Sequence, residues 1–516
     1  MNGVPLITLL TLTPLVGGFV VIGLGESRKD LARGLGLLFT LISLGLGGVL
    51  WLGFDSASGG LQQVERAAWI PTLSVEYFVG VDGLGLLMVL LTALVVPMAL
   101  LASWRWIDEH VPLYQALILF LQSGLFGTFT ALNFFHWFLF WELSLIPTFF
   151  LIKLWGGPRR SEAAVQFLVY TLVGSVALLL AFLAIFQATG SLDFIQLSER
   201  ARNGELRADL ATGLQWSGLS AEQLGWVIFL GALLGFAVKV PLMPFHTWLP
   251  LAYAEAPSPV TMLLTGLMSK MGVYGLLRIL LPIFPDQMRA ALTPLLWLAV
   301  VTIVFSAAAA FAQTDLKRTL AYSSINHLGY CLLGLFAVAG AGEAAAVDRA
   351  AALNGVLLQM FNHGLTAATL FGFVGFLEQR SGGVRGLDDF GGLRKVAPVF
   401  TGLMGIALFS SLGLPGLNGF VGEFLIFKGG FGLASWAAAI STLGLLITAI
   451  FILTILQRVF SGPLNPKWSA FRDLTLDERW IVAPAIGLMF VLGVWPQWAI
   501  GIFNSTVLRM IEGGSP

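Results

Sequence analysis

The sequence predicts an all-α polytopic membrane protein with about fourteen transmembrane helices, and three observations lead to this prediction. Hydrophobic residues make up 57% of the 516 residues and charged residues only 11%, with a mean hydropathy of +0.87. Soluble domains carry about 25% charged residues. The apolar residues form separate runs of roughly 20 residues, the length that crosses a bilayer. The basic residues collect in alternate connections between the runs, as in membrane proteins whose basic loops face the cytoplasm.

The apolar runs place the spans in chain order, at 5–25, 34–54, 83–104, 113–131, 134–154, 164–188, 224–252, 259–280, 290–311, 319–340, 350–377, 398–433, 435–457 and 480–501. The first run lacks a basic segment before it and a small-residue cleavage site, so we expect a retained helix. The two longer connections, 55–82 and 189–223, are expected on the outer side, the second as a surface helix or loop. Neither contains a catalytic grouping.

The basic residues divide into two sets that predict the orientation. The set expected at the cytoplasmic side is Arg28, Lys29, Arg33, Arg105, Lys153, Arg159, Arg160, Lys317, Arg318, Arg380, Arg385, Arg394, Lys395, Arg458, Lys467, Arg472 and Arg479. The set expected outside is Arg66, Arg200, Arg202, Arg207, Arg278, Arg289, Arg349 and Arg509. Both termini then lie outside.

Composition also restricts the partners and cofactors. The 28 basic and 28 acidic residues cancel, which argues against nucleic acid as a partner. The single cysteine, Cys331, excludes an internal disulfide and any cysteine-built zinc or iron–sulfur site. No glycine-rich phosphate loop is present, and no residue pattern predicts a metal site.

Two spans are interrupted in the middle. Pro241 and Pro244 break the seventh span, and the segment 410–423 (SSLGLPGLNGFVGE) breaks the twelfth. Each break is the fourth member of a block of five helices, four to eight and nine to thirteen, and five is an odd number. The pattern therefore predicts two inverted repeats, the arrangement in which broken helices mark an ion pathway. The predicted divisions are 1–110, 111–282, 288–460 and 461–516.

Four charged residues lie inside otherwise apolar spans: Glu142, Lys239, Lys270 and Glu423. Each ionised group at mid-helix costs roughly 2.5–3.5 kcal/mol, so together they cost on the order of 10 kcal/mol if unpaired. That sum is comparable with the whole stability of a domain. These groups must therefore pair, hydrate or lose their charge.

Three histidines extend this set: His246 follows the first break, and His327 and His363 lie in spans ten and eleven. A single histidine is more often a hydrogen-bonded packing residue than a proton carrier. Together with the four charged residues they would form a line across the bundle at mid-depth, and histidine titrates near neutral pH. We expect this line, with water between its members, to carry protons without a metal or cofactor.

Three segments resemble the antiporter-like membrane subunits of respiratory complex I: 239–250 (KVPLMPFHTWLP), 254–257 (AEAP) and 315–329 (DLKRTLAYSSINHLG). The resemblance runs over essentially the whole chain and extends to Mrp antiporter and membrane hydrogenase subunits. Glutamate at 423 is similar to subunit M (the ND-four or chloroplast D type), because subunits L and N usually carry lysine there. Leu251 departs from the family pattern, which often has aspartate at this place.

The resemblance implies a proton-pumping subunit of a quinone oxidoreductase. It implies that Glu142 and Lys239 form an ion pair between helices five and seven, that Lys270 is the central lysine, and that Glu423 is the terminal carboxylate. Flavin, iron–sulfur clusters and quinone would belong to other subunits, and the partners would be L- and N-type subunits in a bacterial inner membrane, or alternatively a thylakoid membrane.

Three alternatives remain at this point. An Mrp-type sodium/proton antiporter would use the same helices with a carboxylate cluster for sodium, and an energy-converting hydrogenase would use a related membrane subunit. A haem-carrying subunit would need two histidines facing one cavity, from among His136, His327 and His363.

Overall fold

The long helices follow the predicted order of apolar runs. The computed structural model describes residues 4–73, 75–342 and 345–512. Their bounds are α1 Leu6–Ile22, α2 Glu26–Leu52, β1 Gln62–Ile70, β2 Val75–Val81, α3 Gly83–Ser103, α4 Val111–Thr130, α5 Phe134–Trp155, α6 Arg160–Thr189, α7 Phe194–Arg202, α8 Glu205–Gly213, α9 Ala221–Lys239, α10 Trp248–Glu255, α11 Ser258–Ile283, α12 Pro285–Ala290, α13 Leu292–Phe311, α14 Leu316–Ala339, α15 Ala346–Ser381, α16 Pro398–Leu412, α17 Asn418–Leu433, α18 Ser435–Phe460, α19 Leu476–Val494 and α20 Gln497–Ile511.

Every predicted span corresponds to a helix or to a pair of half-helices. Among the described residues, 10 helices are long and apolar enough to cross a membrane by length and composition, or 11 if the bent pair α19 and α20 is one span. The half-helices α10, α16 and α17 and the helix α1 are shorter, and polar side chains interrupt α14. Fourteen spans and two inverted repeats therefore stay predictions.

The prediction that residues 480–501 form one uninterrupted span is wrong, because a bend divides them. Helix α19 ends at Val494, and α20 begins at Gln497 at an angle of 69° to it. Pro496 lies between the two helices, and a proline lacks the amide hydrogen that would continue the hydrogen-bond ladder. The chain therefore turns where hydropathy predicted a single straight helix.

The prediction of an all-α fold is also wrong in one place, because the connection 55–82 forms a β-hairpin. Strands β1 and β2 pair antiparallel, from Gln62 opposite Val81 to Ile70 opposite Val75. Arg66 on β1 lies 3.0 Å from Asp193, the N-cap residue of α7, and so ties the hairpin to the second outer connection. Burial raises the pKa of Asp193, while Arg66 and backbone amides act in the opposite direction. The helices α7 and α8 lie in the second outer connection, for which the sequence predicts a surface helix or loop.

Arg278, assigned from sequence to an outer connection, instead lies fully inside the bundle. It forms an ion pair with Asp82, and the two side chains are 2% and 0% exposed. Asp82 also accepts a hydrogen bond from the Gly85 amide at the start of α3, and Arg278 donates to the Tyr274 hydroxyl at 3.3 Å. The pair joins α3 to α11, which carries Lys270.

We expect Arg278→Met to lower the free energy of unfolding by about 3–5 kcal/mol, because it leaves the Asp82 carboxylate buried without its cation. The double variant Asp82→Leu/Arg278→Met should recover most of this loss, since a buried pair replaced by apolar residues is often neutral. Thermal unfolding of the detergent-solubilised membrane protein measures both. An Arg278→Met variant no less stable than the double variant would contradict the assignment.

Candidate functional site

The first break separates α9 from α10, and side chains of neighbouring segments satisfy its backbone. Pro241 and Pro244 interrupt the helix directly after Lys239. The Met243 amide donates to Thr302 Oγ1 of α13 at 3.1 Å, and the Trp248 indole donates to the Val238 carbonyl at 3.0 Å. In lipid an unpaired backbone group costs several kcal/mol. These two side chains thus explain why the break can lie at membrane depth.

Lys239 is the last residue of α9 and is 3% exposed. Its Nζ lies 4.8 Å from the centre of the Trp141 ring. The Trp141 indole is held in place by a 3.0 Å hydrogen bond to Ser175 of α6. A desolvated cation over an indole face is stabilised by about 2 kcal/mol. The aromatic ring therefore supports the positive charge of Lys239.

The ion pair expected between Glu142 and Lys239 is wrong as a direct contact, since no N–O distance of 4.0 Å or less joins them. Successive residues of a helix point about 100° apart, so Trp141 faces Lys239 while Glu142 points to one side of it, with its Oε1 buried and without a hydrogen-bond partner among the described residues. Leu139 and Ile146, one turn before and after Glu142, are exposed. Glu142 is half-buried and stays close enough to influence Lys239 electrostatically.

Lys270 lies at the centre of α11 and is fully buried. A π-helical turn, Leu264–Met268, comes directly before it, and such turns are frequent at functional sites. Its ammonium donates to the Thr265 carbonyl, five residues earlier, and lies 3.3 Å from Ser269 Oγ. The Thr265 carbonyl also accepts a hydrogen bond from the Ser269 hydroxyl at 2.9 Å, so both partners of the lysine lie within its own helix.

The second break, residues 413–417, lies between α16 and α17, and side chains of α15 and α16 hold Asn418 directly after it. Asn362 of α15 donates to the Asn418 carbonyl at 2.6 Å, and Ser410 donates to the Asn418 side chain. Gly413 and Gly416 have φ values of +83° and +94°, a region that favours glycine. The break directs α17 so that Glu423 faces the bundle.

Glu423 lies in a hydrogen-bonded group to which four helices, α14 to α17, contribute side chains. Its Oε1 is 2.9 Å from His327 Nδ1 of α14 and accepts from Gln359 Nε2 of α15 at 3.2 Å. His327 Nε2 in turn lies 3.2 Å from Ser411 Oγ, at the end of α16. The His363 ring stacks on that of His327 with centroids 4.9 Å apart.

The structure therefore brings four of the seven predicted carriers together: Lys270, His363, His327 and Glu423. Lys270 lies one turn after Gly266, where α11 packs against α15 next to His363: a Cβ at Gly266 would lie 3.1 Å from the Gly364 carbonyl. His363 stacks on His327, which bonds Glu423. Lys239 lies outside this group, although the end of its helix, α9, packs closely against α11. A Cβ at Gly272 would lie 2.4 Å from Val240 Cγ2, so glycine is needed at this approach.

The other predicted carriers, Glu142 and His246, lie apart from this group. No hydrogen bond or ion pair between described residues joins His246 to the other six carriers, and its buried Nδ1 has no protein partner. The His246 ring lies 6.4 Å from those of Phe305 and Tyr322.

The histidine geometry does not fit the haem alternative. The stacked rings of His327 and His363 leave no space for a porphyrin between them, and a haem iron would lie between two facing imidazole nitrogens. His136 lies elsewhere, against Tyr77 of the hairpin with ring centroids 4.8 Å apart.

Two contacts of this site were missed in the sequence. An aromatic residue in an apolar run is typical of the core or of lipid-facing surface, so the sequence does not single out Trp141 except by its place next to the charged Glu142. Nothing in the sequence distinguishes Ser411 except its place in the segment that breaks the twelfth span.

The chain is similar to known proteins in both sequence and fold. The family described as NADH:quinone oxidoreductase/Mrp antiporter, transmembrane, matches residues 131–450. The chain is 36% identical to F(420)H(2) dehydrogenase subunit M of Methanosarcina mazei, over 99% of both chains. It is 33% identical to NADH-quinone oxidoreductase subunit M of Mycobacterium tuberculosis, over 98% of this chain and 94% of the relative. A chain of respiratory complex I from Thermus thermophilus superposes with a TM-score of 0.83 at 30% identity, over 98% of this chain and 100% of that one.

Proposed function

Because the chain belongs to the NADH:quinone oxidoreductase/Mrp antiporter transmembrane family, with subunits M among its relatives, we propose that it is a proton-pumping membrane subunit of a complex I-type quinone oxidoreductase. The observation that carries this proposal is the buried group of Lys270, His363, His327 and Glu423. All four side chains can bind and release a proton: His327 bonds Glu423 and stacks on His363, and Lys270 lies where α11 packs against α15.

Electron transfer, in this proposal, takes place in partner subunits that hold the flavin, iron–sulfur clusters and quinone. The chain itself carries no redox group, and L- and N-type subunits are its neighbours in a bacterial inner membrane. The surface of α5 supports a neighbour, because half-buried Glu142 lies between the exposed Leu139 and Ile146. A carboxylate on an apolar, membrane-depth surface is costly unless another protein covers it.

The pumping cycle begins at Glu142 and Lys239. When Glu142 approaches Lys239, the pair holds the lysine protonated; when it withdraws, the proton moves to Lys270 and then through His363 and His327 to Glu423. Two unit charges about 4 Å apart interact by about 4 kcal/mol at an effective dielectric constant of 20. Moving one charge against 100 mV costs about 2.3 kcal/mol. A change in this one separation is therefore large enough to drive the step.

The family also includes Mrp antiporter subunits, so sodium exchange is the alternative to distinguish. We expect inverted membrane vesicles that contain the complex to take up protons during quinone reduction, with the same initial rate in sodium-free and sodium-containing buffer. A proton movement that requires sodium and continues without quinone reduction would identify an antiporter instead. Subunits that co-purify with the tagged chain identify the electron donor and separate a quinone oxidoreductase from a hydrogenase.

A further inference from the structure

An open cavity of about 500 Å³ lies at the end of the bundle that carries the basic connections, apart from the predicted proton carriers. Residues of α2, α3, α15 and α19 line it, and we call it the α3–α19 cavity. Trp104 and Arg105, directly after α3, and Asp477, in the first turn of α19, form its rim. Since α3 ends and α19 begins at this rim, we expect it at the level of the membrane surface. The volume is within the range of ligand sites.

The wall of the cavity changes from charged to apolar within one helical turn. On each of its four helices, an apolar lining residue is separated by four positions from a charged residue. This spacing places both on one face of the helix, about 6 Å apart along the axis. The pairs are Arg33 and Leu37 on α2, Leu101 and Arg105 at the end of α3, Phe376 and Arg380 on α15, and Asp477 and Ile481 on α19. In each pair the apolar residue is the one further inside the bundle, so the cavity has a charged rim and an apolar interior.

Two tryptophans belong to the same lining. Trp104 is half-buried and Trp480 is 75% exposed. Tryptophan is enriched where a membrane protein meets the lipid headgroups, because its ring has an apolar body and a polar N–H group. The two rings therefore support the placement of the rim among the headgroups and of the apolar interior among the acyl chains.

The rim presents two opposite charges. A guanidinium nitrogen of Arg105 lies 2.9 Å from Asp477 Oδ2, and the two side chains are 74% and 72% exposed. An exposed ion pair contributes little to stability, so a ligand that supplies both ions with new partners can separate them. A phosphate group is a bidentate partner for a guanidinium. An ammonium group donates three hydrogen bonds, for which the Asp477 carboxylate and the lining residues Thr475 and Gln379 provide acceptors.

We propose that the α3–α19 cavity binds phosphatidylethanolamine from the leaflet on the side of the basic connections. The phosphate of the lipid binds Arg105, and its primary ammonium binds Asp477. One acyl chain lies in the apolar interior, against Leu37, Leu101 and Ile481. This inference goes beyond the proposed function, and its test does not depend on proton movement.

The charges of the rim favour this headgroup over those of other phospholipids. A purely anionic headgroup would take Arg105 from Asp477 and leave the carboxylate without a cation. A choline headgroup carries a positive charge but has no N–H group to donate to Asp477. An ion pair that served only to join α3 to α19 would require neither a cavity beside it nor the apolar residues one turn further in.

The test uses the intact complex in vesicles that contain phosphatidylethanolamine with a photoreactive diazirine on one acyl chain. The second probe is phosphatidylcholine with the same acyl chain. After illumination, we expect phosphatidylethanolamine to label the peptides of this chain that contain Leu37, Leu101 and Ile481, and phosphatidylcholine to label them about tenfold less. This is the effect of losing a hydrogen bond to a charged group.

Two charge variants separate the parts of the headgroup. Arg105→Gln should lower labelling by phosphatidylethanolamine about tenfold. Asp477→Asn should lower it to the level of phosphatidylcholine, and should leave labelling by phosphatidylcholine unchanged. The matched control is Asp388→Asn, because Asp388 forms another exposed 2.9 Å ion pair, with Arg458, away from the cavity lining. Its labelling should equal that of the unchanged complex.

Leu37→Trp provides a test that leaves the ion pair intact. The larger side chain fills the apolar interior, so we expect labelling to fall even if a charge variant assembles poorly. Equal labelling by the two probes in the unchanged complex would show unselective surface lipid and overturn the inference. Normal labelling in Arg105→Gln and Asp477→Asn would overturn it as well, and so would a cavity that neither probe labels because a neighbouring subunit covers it.

Discussion

Lys239→Met is expected to abolish proton translocation while the complex still assembles. Methionine fills a similar volume, but it has no proton to release and no charge to place over Trp141. A positioned proton carrier contributes about 10²–10⁴-fold to a rate, so the remaining translocation should be below detection. Proton uptake by inverted vesicles, with quinone reduction followed in the same sample, measures the effect.

Lys239→Arg distinguishes the charge of this residue from its proton. Arginine keeps a cation over Trp141 but does not deprotonate in proteins, so we expect assembly without pumping. The matched control is Lys428→Met on α17. Because Lys428 is exposed, we expect this variant to pump protons normally. Full pumping by Lys239→Met or Lys239→Arg would refute the role of Lys239 as a proton carrier.

Glu423→Gln is expected to stop pumping almost as completely, because the glutamine amide cannot accept the proton that arrives through His327. Its shape is nearly the same, so the contacts with His327 and Gln359 change little in position. We expect a loss of about a hundredfold in proton uptake. Glu423→Asp, which keeps a carboxylate on a shorter side chain, should retain more activity than Glu423→Gln.

The control for Glu423 is Glu222→Gln, which removes an exposed carboxylate in the first turn of α9. It should pump as the unchanged protein does. If Glu423→Gln also pumps normally, the last step of the proposed relay does not pass through Glu423, and the group around His327 is structural.

The predictions that succeeded depend on costs that are local in the sequence. Pro241 and Pro244 lie three residues apart, and such clusters of prolines or glycines interrupt a helix, so both breaks were visible. A single proline such as Pro97 lies inside an unbroken helix. A lysine such as Lys270 inside an apolar run is equally visible, because its burial is costly in any bilayer. The stretch 55–82 contains no long apolar run, and this feature marks it as a connection between spans but does not predict the β-hairpin.

By itself, the sequence determined the membrane class, the order of the helices, both breaks and three of the buried charges, Lys239, Lys270 and Glu423, since each depends on hydropathy or on a single residue's backbone chemistry. Only the tertiary structure decided which of these groups meet. Lys239 lies over Trp141 rather than against Glu142, Arg278 pairs with Asp82, and His327 joins Glu423 across 96 positions of chain. Such contacts depend on the rotation and tilt of each helix, which packing against neighbouring helices determines and hydropathy does not record.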